Sequence, residues 1–225
     1  MDGFDSLSNI TAVSKTLSYA ETRSNFPTEL TTRKTIEVLY MQKGSYTVAQ
    51  SFFGTTTSSL RYLGVFVNST PYAALQYNTN RSGTYYLGRT TIPLRDGAFV
   101  HLVGVRTNAY PIIYINQQLV SSNLSTAGTA LGADTARIGY RTATVESIAN
   151  HKLFYVNWYE GDLSGIVNLM YKERFNPVKK FAVPIASYNF NQFNGFLPDV
   201  SGNGNDMNVS GNWNVTKPVQ DVDDW

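Results

Sequence analysis

From Thr35 onward, apolar and polar positions alternate in short runs broken by Gly, Asn, Ser and Pro. TIEVLYM (35–41), TVAQSFF (47–53), LRYLGVFV (60–67), YAALQYN (72–78) and TYYLGRTTI (84–92) are rich in β-branched and aromatic residues, which suit a pleated, half-buried surface. AFVHLVGVRT (98–107) and PIIYINQQLVSS (111–122) follow and are expected in the middle of a sheet. The second of them turns at Asn116-Gln117, where a two-residue hairpin prefers Asn-Gly. ARIGYRT and KLFYVNWYE supply two further strands. One helix is predicted, capped by Ser164, with Ile166, Val167, Leu169 and Met170 as its apolar stripe and Asn176-Pro177 as its stop. Residues 181–191 and 206–215 read as late strands around the turn DVSGNGND. Strands this regularly spaced predict an all-β antiparallel sandwich or barrel, with no repeat of 20 to 50 residues to suggest a solenoid. The expected organisation is a polar N-terminal lead or arm over 1–34, a sandwich over 35–216 and an acidic tail over 217–225.

Composition narrows the chemistry. The 225 residues include 18 Lys or Arg and 16 Asp or Glu, a net charge of +2, and the charged fraction is 15% against roughly 25% in a typical domain. The surface is therefore expected to be polar but uncharged, with 15 Tyr contributing. The absence of Cys, with His101 and His151 as the two histidines, excludes thiol catalysis, zinc ribbons and iron–sulfur clusters. The opening MDGFDSLSNITAVSK is acidic before a polar stretch, and no apolar run reaches a membrane span. The expectation is a chain without a signal peptide and without membrane insertion. Six sequons, at Asn9, Asn68, Asn80, Asn123, Asn208 and Asn214, are about what chance gives in an Asn-rich, Ser/Thr-rich chain. Lys179-Lys180 is a basic pair, and without a basic stripe nucleic acid is not an expected partner.

Three blocks carry a resemblance. RDGAFVHLVGVRTNAYPIIYINQQLVSS, preceded by TIEVLYM, is similar to a central hairpin with a His-Leu strand. LFYVNWYEGDLSGIVNLMYKE is similar to a closing strand, a Leu-Ser corner and a short helix. Asp199-Val200-Ser201-Gly202-Asn203-Gly204-Asn205-Asp206 matches an Asp-x-Ser-Gly-Asn signature. Together they resemble the concanavalin A-like lectin/glucanase superfamily, in particular its laminin-G-like and pentraxin-like members. The resemblance implies a jelly-roll β-sandwich of two antiparallel sheets with one short helix. The Ser-Gly-Asn signature usually lies near the start of that domain and here lies near the end. A circularly permuted strand order is the simplest account, with 185–215 completing the sandwich rather than opening a second domain.

Glucanases of the superfamily flank one glycosidic bond with carboxylates two residues apart on a strand. Within the expected sandwich, Glu160-Gly161-Asp162 has that spacing, but it lacks a third carboxylate, contains Gly and falls at a corner. It reads as a solvated turn, and the protein as no enzyme. Asp199, Asn203, Asn205 and Asp206, with Ser201, offer oxygen donors around Gly204 like a calcium loop, whose twelfth position would be Ser210 instead of a bidentate Glu. A structural calcium and a turn hydrogen-bonded to its own backbone are both open readings, and the missing Glu favours the second. Trp158 shares alternation with Phe154 and Val156 and is expected in the core. His101, alternating with Val103 and Val105, reads as a core or cleft histidine. Tyr72, Tyr77, Tyr85, Tyr86, Tyr140 and Tyr155 are candidates for an exposed ligand face, with Tyr85, Tyr86 and Tyr140 placed first.

The composition and the resemblance together suggest a non-catalytic virion protein of a bacteriophage: a head fibre, capsid decoration or tail component. Its lectin-like domain would attach to host surface glycans at the virion surface. Asp221, Asp223, Asp224 and Trp225 would contact other virion proteins or further copies of the chain. A bacterial carbohydrate-binding module or adhesin is the alternative, and a glycoside hydrolase of the same fold comes after it.

Overall fold

The computed structural model describes residues 9–12, 19–22, 26, 33–41, 50–56, 62–67, 73–78, 85–89, 97–107, 111–122, 135–139, 152–210 and 213–216. Strands β1 (Asn9–Ala12), β2 (Tyr19–Thr22), β3 (Lys34–Met41), β4 (Gln50–Thr56), β5 (Tyr62–Val67), β6 (Ala73–Asn78) and β7 (Tyr85–Arg89) come first. They are followed by β8 (Phe99–Arg106), β9 (Pro111–Ile115), β10 (Gln118–Ser122), β11 (Thr135–Ile138) and β12 (Lys152–Glu160). A 3-10 turn, Ser164–Ile166, leads into α1 (Val167–Lys172). The chain closes with β13 (Ala186–Asn189), β14 (Phe196–Leu197), β15 (Met207–Ser210) and β16 (Trp213–Thr216). For β1, β5, β6, β7, β16 and all of β4 but Phe52, the description is of the backbone.

Every pairing given between these strands is antiparallel. The first sheet runs β10-β9-β8-β3-β12-β1-β16, with β13 also on β12, and the second runs β14-β15-β2-β11-β4-β5-β6-β7. This is the two-sheet jelly-roll sandwich with a single short helix that the strand spacing and the resemblance predicted. The late strands complete it: β13 pairs with β12, β15 with β2 and β16 with β1. The N-terminal segment is more than a polar lead. Residues 9–12 and 19–22 enter different sheets, and the closing strands of the chain lie beside them. Four-residue strands carry too little alternation to stand out in a Ser/Thr-rich background.

The main core fills the space between the sheets. Ile36, Val38 and Tyr40 of β3, Val100 and Leu102 of β8, and Val156 and Trp158 of β12 meet Ala20, Phe52, Ala136, Ile138 and Met207 from the other sheet. Trp158 is fully buried with Phe26 edge-on at 5.4 Å, as its alternation indicated. Phe154 does not share its face. The register of β12 on β3 shifts between Leu153 and Tyr155, and this bulge turns Phe154 outward to Leu39, Phe99 and Phe175.

The outer face of the first sheet is covered as well, which makes a third layer. Val103, Val105, Ile112 and Tyr159 pack beneath Val167 and Met170 of α1. The helix starts and stops differently from the prediction. Ser164 caps nothing with its side chain; its N–H donates to Asp162 Oδ1 at 3.0 Å. The helix ends at Lys172, and Asn176 folds a local turn by accepting from the Val178 N–H at 3.1 Å.

Candidate functional site

Beneath α1 and the segment 173–182 that follows it, polar side chains from three strands converge. Glu37, centred on β3, has a side chain with no exposure. Alternation aims it at the outer face, where Leu39 of the same strand pairs with His101 and Asn157 lies opposite Glu37 on β12. Its Oε1 accepts from His101 Nε2 at 2.8 Å and Tyr155 OH at 3.0 Å. Its Oε2 accepts from Asn157 Nδ2 at 3.0 Å and Tyr159 OH at 2.8 Å. Lys179 Nζ stands 3.3 Å from Oε1 and donates to the carbonyls of Glu173 and Asn176, both at 2.6 Å. Asn157 Oδ1 in turn accepts from Ser187 Oγ at 2.6 Å, which ties β13 into the network.

Burial alone would push the Glu37 carboxyl up. The His101 hydrogen bond, the Lys179 charge and the Asn157 bond outweigh it and hold the group at about 2. Burial drives His101 down despite Glu37, and the Lys179 and Arg174 charges act the same way. His101 is thus the neutral imidazole donating from Nε2, so the cluster holds one carboxylate and one ammonium. Burial, then Glu37, raise Tyr155 and Tyr159, which keeps both phenols as donors. Its members are largely spent on one another. Chemically it is a buried polar core, hydrogen-bonded except at His101 Nδ1, that fixes the outer layer.

Sequence reasoning assigned His101 correctly to the interior but missed Glu37 and Lys179, and it offered Tyr155 as an exposed candidate. Tyr155 is fully buried because the register shift at Phe154 sets it under Phe175 and Lys179. The available signal was a single carboxylate within the apolar run TIEVLYM, with Asn157-x-Tyr159 inside another strand.

The Glu160-Gly161-Asp162 corner is used structurally. Glu160 pairs with the buried Lys34, whose ammonium is pushed down by burial against the pull of Glu160. Gly161 takes φ +92°, and its N–H and carbonyl bind Arg33 and Thr35. With Asp162 holding the Ser164 N–H, the two carboxylates have separate local tasks and do not face a common bond.

The Asp199–Asp206 turn is built around one carboxylate. Asp199 Oδ1 accepts from the Ser187 and Ser201 N–H groups at 2.9 and 3.0 Å, and Oδ2 from the Asn205 N–H and Nδ2 at 3.0 and 3.1 Å. Asp206 Oδ1 accepts from the Asp199 N–H at 2.8 Å. Ser201, Asn203 and Asn205 donate to the Ile185 carbonyl at 3.0–3.1 Å. Four N–H donors meet the Asp199 carboxylate, so the turn is held together by its own hydrogen bonds. Among the described residues no three His, Cys, Asp or Glu converge on a metal position. The turn instead fastens the start of β13 to the approach to β15.

Tyr85 and Tyr86 lie on β7, the edge strand of the second sheet, in register with Asn78 and Tyr77 of β6. Tyr140, Asp221, Asp223, Asp224 and Trp225 fall outside the described residues, as does Tyr72. No described helix is long and apolar enough to cross a membrane.

No protein-family model and no curated protein sequence matches the chain. Its fold is nevertheless shared. A native heptameric SAP-like pentraxin from Limulus polyphemus superposes with a TM-score of 0.67 at 11% identity, over 97% of this chain and 98% of that one. A candidate carbohydrate-binding protein from Bacteroides ovatus gives 0.69 at 14% identity, over 95% of this chain and 62% of that one. The binding domain of botulinum neurotoxin DC, in complex with SialylT, gives 0.55 at 9% identity over 73% and 41%. The chain therefore spans nearly all of the pentraxin and under two thirds of the other two.

Proposed function

We propose that this protein is a non-catalytic lectin-type sandwich that binds glycans through a Tyr-containing face. The observation that carries the reading is the superposition, over 95% of the chain, on the Bacteroides ovatus carbohydrate-binding candidate. The neurotoxin domain held with SialylT supports it from a second fold relative. The engagement of Glu160 with Lys34 and of Asp162 with Ser164 supports a binding role over hydrolysis. Tyr85, Tyr86 and Tyr140 are the residues assigned to the ligand face, since Tyr gives amphipathic contact area at small entropic cost. The finer reading is display on a phage virion surface, where repeated copies turn weak contacts into avidity. Its support is composition, with no Cys and 15% charge, and Asp221, Asp223, Asp224 and Trp225 would then dock the chain. A cell-surface module or adhesin uses the same binding face.

A glycan array probed with the full chain tests the binding reading. Retained glycans are expected, with at least tenfold weaker binding in the Tyr85→Ala/Tyr86→Ala/Tyr140→Ala variant at an unchanged melting temperature. No retained glycan, or release of reducing ends from a polysaccharide, overturns it. For the virion reading, removal of residues 219–225 is expected to abolish incorporation into particles.

A further inference from the structure

One wall of the Glu37 cluster is built from outside the sheets. Among the described residues, the contacts reaching it from outside the sheets come from α1 and the segment 173–182. Tyr171 stands edge-on to His101 with ring centroids 5.9 Å apart. Arg174 stacks over Tyr171 at 4.2 Å and Phe175 at 4.6 Å. Lys179 covers Glu37 and the Tyr155 ring. Charged and titratable groups therefore meet His101 from every side: Glu37 on β3, Tyr155 and Tyr159 on β12, Tyr171 on α1, and Arg174 and Lys179 after it, with Glu173 acting on Lys179. His101 itself has no exposure, and its Nδ1 has no hydrogen-bond partner.

We propose that His101 is an acid-sensitive latch whose protonation releases α1 and the segment 173–182 from the outer face of the first sheet while the two sheets stay paired. The charge count gives the reason. Glu37 already balances Lys179, so an imidazolium would be a second buried cation beside Lys179 and Arg174, and its new Nδ1–H would point where there is no acceptor. Lifting the cover brings water to both. Because the covered imidazole binds a proton less readily than the hydrated one, protons favour the lifted state. Its population rises by up to about tenfold per pH unit below about 6.5, until the covered histidine also titrates.

Hydrogen exchange of the full chain, followed by mass spectrometry from pH 7.5 to 5 and corrected for intrinsic exchange, reads this directly. Peptides within 164–182 are expected to open more by that factor, while 34–41 and 99–106 stay protected. His101→Gln keeps a donor toward Glu37 without titrating, and should flatten the dependence. An undiminished rise in that variant, or wild-type exchange in which cover and strands open together, overturns the proposal. Lys179→Met provides an independent arm. With the neighbouring cation gone, Glu37 is free to pair with the imidazolium, so the acid-driven rise should shrink, and an unchanged rise counts against the latch.

Discussion

Asn116 and Gln117 turn the β9–β10 hairpin with φ of 47° and 65°, the left-handed pair of a type I′ turn. Asn adopts this region at lower cost than Gln, since a Cβ there crowds the following carbonyl and the short Asn side chain compensates by bonding locally. Gln117→Gly should therefore stabilise the protein by about 1 kcal/mol, visible as a rise in melting temperature of roughly 2–4 °C. A lower melting temperature would mean that the Gln117 side chain contributes contacts beyond its 'exposed' position in the turn. Asn116 should be left in place, because its Oδ1 accepts the His101 N–H at 2.9 Å. The departure from Asn-Gly was visible in the chain; the strained angle that follows was not. Single residues were legible where one face decides their fate, as for Trp158. They were illegible where a partner arrives from far along the chain, as Lys179 does to Glu37.

Elements were read unevenly: the expected strand 206–215 divides into β15 and β16, which enter different sheets, and within 181–191 the strand is β13, residues 186–189. β3, β8 and β12 stand close to their predicted bounds, whereas β1 and β2 were hidden by their length. Periodicity also cannot announce a bulge, so the shift after Leu153 moved Phe154 and Tyr155 away from their expected surroundings. The entry to α1 shows the same limit: Ser164 has the right residue type for a cap, yet Asp162 holds the N–H. Replacing Asp162 with Ala should cost about 1 kcal/mol in a denaturant melt, and Ser164→Ala should stay within about 0.5 kcal/mol. The reverse ranking would restore the cap to Ser164. Near the end of the chain, the signature that resembled a calcium loop was legible as a motif. Its use as a clasp on Ser187 and Ile185 depended on strand pairing that no local pattern contains.

The whole molecule should be least tolerant of acid. Glu37 sits at about 2 when folded and takes its proton near 4.5 when released. Its contribution, about 3 kcal/mol, is fully present above 4.5 and is lost as pH falls through 2. His101 adds to the same slope from 6.5 downward, since the unfolded chain binds that proton first. Tyr155 and Tyr188 are raised above 10.0, so stability should also fall above about 10, where the unfolded phenols ionise. A melting-temperature profile from pH 3 to 11 should thus be a plateau with two shoulders, and a flat acid limb would show Glu37 to be uncharged in the fold. The pairing of Ala12 with Trp213 has a consequence in time. A ribosome adding about 5–20 residues per second needs roughly 10–40 s to travel from one to the other. Throughout that interval the strand containing Ile10 lacks the neighbour that covers one of its edges. Nascent chains therefore present an open strand for longer than most small domains take to fold, and chaperones that hold exposed strands have a defined window in which to act.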